Sequence, residues 1–101
     1  MADVEVVGGG EVSVGVGDTV TLRLPENATT GYVWSVVERG SGLSLEDDRS
    51  VPGADTAAGA GGEHLFRLRA EQTGDWRVDF RLAREWESEA LEEQQLTVRV
   101  G

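Results

Sequence analysis

The sequence has no cysteine and no lysine, and only 2 of its 101 residues are proline. Without cysteine the chain has neither disulfide bonds nor a thiolate nucleophile. The single histidine, His64, has no recognisable serine and acid partners in the sequence, so we do not expect an enzyme. The acidic run Glu46-Asp47-Asp48 lacks the alternating ligands and glycine of a calcium loop, so neither a metal nor a cofactor is predicted.

Long hydrophobic runs are also absent, and no stretch has the apolar length that a membrane span needs. The first residues lack the basic and apolar segments of a secretory signal. These absences predict either a cytoplasmic protein or the trimmed form of a secreted or periplasmic one.

Positive charge is scarce, since 19 acidic residues face 9 basic residues and the formal net charge is -10. Such a charge repels nucleic acid and anionic membrane surfaces, and it favours association with a basic partner. We expect neither nucleic acid nor a membrane as a partner, and we expect a monomer.

Alternation of apolar and polar residues dominates the rest of the chain. Val20, Leu22 and Leu24 alternate with polar residues, and the stretch from Trp76 to Leu82 repeats the pattern. This period of two predicts strands with one face on a core, and turn residues at short intervals predict seven or eight of them. The fold class is therefore an immunoglobulin-like antiparallel β-sandwich, formed by a single domain over residues 1–101.

The pattern also makes finer predictions. The bulky stretch Tyr32 to Val37 is typical of a central strand covered on both faces. A short strand at Leu43 and Leu45 should end at the acidic run 46–48, and the glycine-rich stretch 50–62 is predicted to be a long loop. Residues 83–91 favour a polar loop over a helix, because their apolar spacing is poor. Trp34 and Trp76 are expected in the core, and His64 at the surface or supporting a loop.

Three loop stretches stand out at predicted strand boundaries. Their residues are Asn27-Ala28-Thr29-Thr30-Gly31-Tyr32, Gly59-Ala60-Gly61-Gly62 and Arg84-Glu85-Trp86. Asn27 and Thr30 can bond the local backbone, and Gly31 permits a positive φ. The glycine run lacks the following Lys and Ser/Thr of a phosphate-binding loop, so by itself it indicates only a flexible segment. An exposed Trp beside an Arg is typical of an interface hot spot.

In order and in type, these three loops resemble those of the chagasin family of cysteine-protease inhibitors. The family carries an Asn-Pro-Thr-Thr-Gly-aromatic loop, a Gly-x-Gly-Gly loop and an Arg-Pro-Trp loop on an immunoglobulin-like sandwich. The resemblance spans Val12 to Val100. It implies a reversible, noncovalent inhibitor of papain-like cysteine peptidases that inserts the loops as a wedge into the active-site cleft.

The resemblance also implies a role for each loop. Residues 29–31 would approach the catalytic cysteine of the peptidase, and residues 59–62 would run beside its non-primed subsites. Trp86, with Arg84 beside it, would stack on the primed side. Ala28 and Glu85 stand where the family has proline, which leaves both loops freer and predicts weaker or retargeted inhibition.

Two other functions stay open at this stage. One is an immunoglobulin-like adhesion or carbohydrate-binding module, although the few aromatic residues do not obviously form a sugar platform. The other is a member of the family whose inhibitory activity has decayed.

Overall fold

The computed structural model describes residues 2–27, 30–51 and 62–101, and these residues form eight β-strands. The strands are β1 (Asp3–Val7), β2 (Gly10–Val14), β3 (Thr19–Glu26), β4 (Val33–Arg39), β5 (Leu43–Val51), β6 (Gly62–Ala70), β7 (Gly74–Ala83) and β8 (Glu92–Val100). In this part of the chain, no helix is long and apolar enough to cross a membrane.

Two four-stranded sheets make up the fold, with the strand orders β1-β3-β6-β5 and β2-β8-β7-β4. The chain leaves the first sheet after β1 and joins the second at β2, and Gly8 turns it there with a φ of 80°. The pairings β1 with β3 and β2 with β8 are parallel, whereas the inner pairings are antiparallel. The predicted immunoglobulin-like β-sandwich is confirmed, with these two parallel edges added.

The core lies between the sheets, where the inward positions of the alternating strands meet. Val20, Leu22 and Leu24 of β3 are fully buried, as the pattern predicted. Phe66 of β6 and Phe80 of β7 come from opposite sheets, and their ring centroids lie 4.8 Å apart. Trp34 is 1% exposed, which confirms its place in the core.

The prediction of a central strand after Tyr32 is wrong. β4 is an edge strand, and Val33 and Val37 are 46% and 59% exposed on its outer face. Only alternate side chains of the bulky stretch turn inward, and a bulge between Val36 and Glu38 shifts the register.

The predicted end of the next strand at residues 46–48 is also wrong, because β5 continues to Val51. Arginines on β6 face these carboxylates, and both Arg67 and Arg69 lie within 3.9 Å of Glu46. A bulge between Leu45 and Asp47 accommodates the change of register. The acidic run is therefore part of a strand rather than a turn.

Trp76 closes the end of the sandwich where β4 ends and β5 begins. Its indole Nε1 donates to the carbonyl of Gln72 at 2.9 Å, and its ring is partly buried against the core. A Cβ atom at Gly42 would lie 2.0 Å from the indole Cε2, so glycine is needed for this close approach. Residues 84–91 contain no helix, which confirms the predicted polar loop.

Candidate functional site

Strand register brings the described ends of the three loop stretches to the same end of the sandwich. Glu26, the last residue of β3, pairs with Gly62, the first residue of β6. Val33, the first residue of β4, pairs with Ala83, the last residue of β7. The segment that joins β3 to β4 therefore starts beside Gly62 and ends beside Ala83, which precedes Arg84.

Most of the predicted site residues are in the described part of the chain. These are Asn27, Thr30, Gly31, Tyr32, Gly62, Arg84, Glu85 and Trp86. Ala28, Thr29, Gly59, Ala60 and Gly61 lie outside the described residues.

The first loop is held by bonds within itself. The amide and the hydroxyl of Thr30 both donate to the carbonyl oxygen of Asn27, at 3.2 Å and 2.8 Å. The same hydroxyl accepts from the amide of Tyr32 at 3.3 Å. Gly31 has a φ of 81°, as its residue type predicted. These features turn the chain sharply, and they confirm the predicted bonding of Thr30 to the local backbone.

Arg84 joins the third loop to the first. Its guanidinium carbon lies 4.3 Å from the ring centroid of Tyr32 and 5.9 Å from that of Trp86. Its Nε donates to the carbonyl oxygen of Thr30 at 3.1 Å. One side chain therefore stacks on an aromatic ring of each loop and also bonds the first loop's backbone.

The carboxylate that pairs with Arg84 belongs to Glu87, with an N–O distance of 3.3 Å. The amide of Glu87 also donates to the carbonyl of Arg84 at 3.1 Å, which closes a turn around Glu85 and Trp86. Trp86 is 75% exposed at this turn, as expected for a contact residue. A large exposed indole on a turn fixed by a neighbouring ion pair is suited to bind a protein surface.

An open groove of about 490 Å³ runs beside Trp86 along the outer face of β4 and β7. Its lining combines apolar and charged groups, namely Gly31, Val33, Ser35, Arg81, Ala83, Arg84, Glu85, Trp86 and Glu87. The groove adds concave surface to the exposed indole.

Beneath the loops lies a polar cluster, with Glu26 and His64 buried and Asp48 and Ser50 at its exposed side, that the sequence reasoning missed. The carboxylate of Glu26 is 2.8 Å from Nδ1 of His64, and the other ring nitrogen of His64 contacts Asp48. Ser50 donates its hydroxyl proton to Glu26. His64 is 4% exposed, so the predicted surface position is wrong, and its support of a loop stays a prediction.

The sequence did contain a signal for this cluster. Glu26 continues the inward series of Val20, Leu22 and Leu24, and His64 starts the inward series that continues with Phe66. A polar residue in an inward position of a core strand indicates a buried bond, because an unpaired one is costly.

The cluster has neither a catalytic nor a metal-binding arrangement. The proton of the Ser50 hydroxyl goes to Glu26, and its oxygen is 3.4 Å from His64 Nδ1, so His64 does not activate it as a nucleophile. In the described ranges, no group of three or more His, Asp or Glu side chains could hold a metal ion.

Comparison with known proteins identifies the family. The model of the chagasin family of peptidase inhibitors, I42, matches residues 13–100. The chain belongs to the chagasin family. It is therefore a peptidase inhibitor rather than an enzyme, and the resemblance based on the three loops is confirmed.

Individual relatives agree with this assignment. Chagasin of Trypanosoma cruzi is 27% identical over 96 residues, which cover 89% of this chain and 86% of that protein. A cysteine protease inhibitor from Entamoeba histolytica superposes with a TM-score of 0.83 at 20% identity, covering 99% of this chain and 96% of that one. PbICP-C, solved in complex with falcipain-2, superposes with a TM-score of 0.59 at 13% identity, covering 97% of this chain and 87% of that one.

Membership of the chagasin family argues against the alternative function of an adhesion or carbohydrate-binding module. The site agrees, since Arg84 covers the ring of Tyr32 and leaves the indole of Trp86 exposed. This arrangement differs from the platform of several exposed rings that a sugar site requires.

Proposed function

We propose that this chagasin-family chain inhibits papain-like cysteine peptidases reversibly and noncovalently, by inserting the loop end of the sandwich into the active-site cleft. The observation that carries the proposal is the position of Arg84, which stacks between Tyr32 and Trp86 and bonds the Thr30 carbonyl. This contact makes the first and third loops one rigid edge with an exposed indole at its rim.

Each part of the edge has a role in the proposed complex. Thr29, Thr30 and Gly31 approach the catalytic cysteine and block it. Residues 59–62 bind the non-primed side through backbone bonds, because glycine and alanine allow close approach. Trp86 stacks on the primed side, with Arg84 holding it in place. The chain offers no electrophile to the thiolate, so binding is noncovalent.

The two missing family prolines are compensated in this chain. At the position after Asn27, the chain has alanine, but Thr30 makes two bonds back to the Asn27 carbonyl. Between Arg84 and Trp86 it has glutamate, but the Arg84–Glu87 ion pair closes the turn. Bonds within the loops thus restrict the backbone freedom that proline would have removed. We infer that inhibitory activity is retained rather than decayed.

We propose that residues 1–101 act as one inhibitor domain, as a monomer bound to one peptidase. The loop end then buries about 800 Å² of this partner, the usual size for a stable protein complex. No nucleic acid or membrane takes part.

The test is a titration of the chain against papain and a cathepsin-L-like enzyme with a fluorogenic peptide substrate. We expect saturable, reversible inhibition below 1 micromolar, because the contacts of Arg84 preform the described part of the site. The variants Thr30→Ala and Trp86→Ala should each raise the inhibition constant by about 10- to 100-fold, as expected for residues at the centre of an interface.

The matched control is Val37→Ala, which shortens an exposed apolar side chain on β4 away from the loops. It should leave the inhibition constant unchanged, and all three variants should melt close to the parent temperature. Inhibition by the Thr30 and Trp86 variants equal to that of the parent would rule out the loop assignment. A folded parent that does not inhibit either enzyme at tens of micromolar would refute the proposed function.

A further inference from the structure

Four side chains form a polar cluster at the base of the loops, and we call Glu26, Asp48, Ser50 and His64 the loop-base cluster. The side chains of Glu26 and His64 are 2% and 5% exposed, so they lie beneath the surface that would meet a peptidase. Burying these groups is costly unless they are paired, which makes their position informative.

Glu26 fixes both ends of the first loop. It is the last residue of β3 and immediately precedes Asn27. Its Oε2 accepts from the backbone amide of Trp34, which follows the loop in β4, at 2.9 Å. The indole of Trp34 also donates to the carbonyl of Pro25 at 2.8 Å. Since β3 and β4 belong to different sheets, these side-chain bonds hold the loop ends together without help from a strand ladder.

The same carboxylate also holds the strands that flank the second loop. Ser50 lies one residue before the end of β5 and donates to Oε1 of Glu26. His64 lies near the start of β6, and its Nδ1 is 2.8 Å from Oε2 of Glu26. The bases of the first and second loops therefore share one anion.

Every polar group of the cluster has a partner. Both ring nitrogens of His64 face carboxylates, Nδ1 toward Glu26 and Nε2 toward Asp48. Among the described residues, no buried side-chain polar atom lacks a partner. Removing the Glu26 charge thus leaves three donors, from Trp34, Ser50 and His64, competing for a weaker group.

We propose that the loop-base cluster sets the position of the first loop relative to the second, with Glu26 as the positioning residue for inhibition. The proposal rests on the proposed function, because it concerns the geometry with which the loops enter the cleft. Glu26 acts through the loops and does not touch the peptidase, so its loss reduces the population of chains that are ready to bind.

The first experiment compares Glu26→Gln with Glu63→Gln. Glutamine keeps the shape of the side chain and removes its charge. Glu63 is the matched control, because it is adjacent to His64 in the chain but its side chain is 43% exposed and pairs with Arg23 at 3.5 Å. We expect Glu26→Gln to raise the inhibition constant against papain at least about tenfold, mainly through slower association, and to speed hydrogen exchange at the Trp34 amide. Glu63→Gln should change neither quantity.

A second measurement separates positioning from a general loss of stability. In the Glu26→Gln background, Thr30→Ala should raise the inhibition constant by a smaller factor than in the parent, because the loop is already misplaced. Ser50→Ala should weaken inhibition in the same direction as Glu26→Gln but less, and Ser50→Thr, which keeps the hydroxyl, should restore it. If Glu26→Gln does not fold, the two Ser50 variants still test whether the loop-base cluster positions the loops.

Unchanged inhibition and unchanged Trp34 exchange in a folded Glu26→Gln chain would overturn the proposal. The proposal would also be overturned if Thr30→Ala raised the inhibition constant by the same factor in the Glu26→Gln background as in the parent. Equal inhibition by Ser50→Ala and Ser50→Thr would overturn it as well. If the parent itself does not inhibit any peptidase, the proposed function fails. The exchange rates of the Trp34 and Gly62 amides in the Glu26 and Ser50 variants then still show whether the cluster positions the loops.

Discussion

Arg84 shows how much of the site depends on the shape of one side chain. Its planar guanidinium stacks on Tyr32 while Nε bonds the carbonyl of Thr30 and a terminal nitrogen reaches Glu87. A lysine ammonium is a compact charge that cannot make these contacts together. The charge at this position therefore matters less than the plane that carries it.

We accordingly predict that Arg84→Lys raises the inhibition constant by about 5- to 10-fold, the loss expected from one cation–π contact and one hydrogen bond at a partly exposed site. The melting temperature should change by less than about 2 °C, since the side chain is 34% exposed and lies outside the core. Inhibition assays and thermal unfolding check both expectations. Arg99→Lys is the control, because Arg99 makes an exposed ion pair with Glu11 on β8 and β2. Equal inhibition by Arg84→Lys and the parent would show that charge alone is sufficient.

Among the strands, β1 has a single neighbour, and the carboxylate of Asp18 holds its start. It has five residues, and at the edge of its sheet it pairs only with β3. Asp18 accepts from the amide of Gly15 at 2.9 Å and from that of Ala2 at 2.8 Å, so it ties the start of β1 to the turn before β3. These bonds, that of Gly15 first, lower the pKa of the Asp18 carboxyl below its ordinary value of 3.8.

The lowered pKa of Asp18 leads to a prediction about acid stability. Because the folded-state pKa is below the unfolded value, the carboxylate stabilises the fold above about pH 4, and this contribution is lost as the pH falls through the folded-state pKa. Asp18→Asn should therefore lower the free energy of unfolding at pH 7, and the difference in this free energy between variant and parent should narrow as the pH falls below about 4. Urea unfolding at several pH values measures this free-energy difference, and Asp75→Asn is the control because Asp75 is exposed. A gap that is independent of pH would contradict the role assigned to Asp18.

The local sequence pattern predicted where strands lie better than it predicted which strands pair. Alternation located the strand at Trp76 to Leu82, and residue types identified the turn at Gly31 and the exposure of Trp86. Pattern failed for β5, whose acidic residues are tolerated because arginines 20 or more positions later face them. It also failed for β4, because bulky residues could not reveal that this strand lies at the edge of its sheet with an exposed outer face. Such features depend on pairing between distant segments, which one sequence does not display.

The loop-base cluster was also missed because it depends on pairing between distant segments, although two of its four residues could be recognised from the local pattern. Glu26 and His64 occupy inward positions that period two identifies. Their partners Asp48 and Ser50 are on β5, whose existence as a long strand was not predicted. A buried acid can be recognised from its position along a strand, whereas its partner requires the strand order.

At the scale of the whole molecule, net charge and site location have separate effects. The chain carries a formal charge of -10 on a body that extends 43 Å along its longest axis. Charge is screened over about 8 Å at physiological salt and about 30 Å at 10 mM salt. Only carboxylates near the loops, such as Glu85, Glu87 and Glu89, therefore act on a bound peptidase at physiological salt, while the whole molecule attracts a cationic one at low salt.

The difference in screening length between low and physiological salt predicts how inhibition depends on salt. For a papain-like peptidase with net positive charge, the association rate constant should fall by about tenfold between 10 mM and 150 mM salt, because steering is screened. The dissociation rate constant should change little, since it reflects the short-range contacts of Trp86 and the first loop. Stopped-flow or surface-binding kinetics separate the two constants, and a peptidase with net negative charge should associate faster as salt is added. A salt-independent association rate with the cationic enzyme would mean that docking of the loop end, rather than encounter, limits binding, and that the acidic composition serves solubility alone.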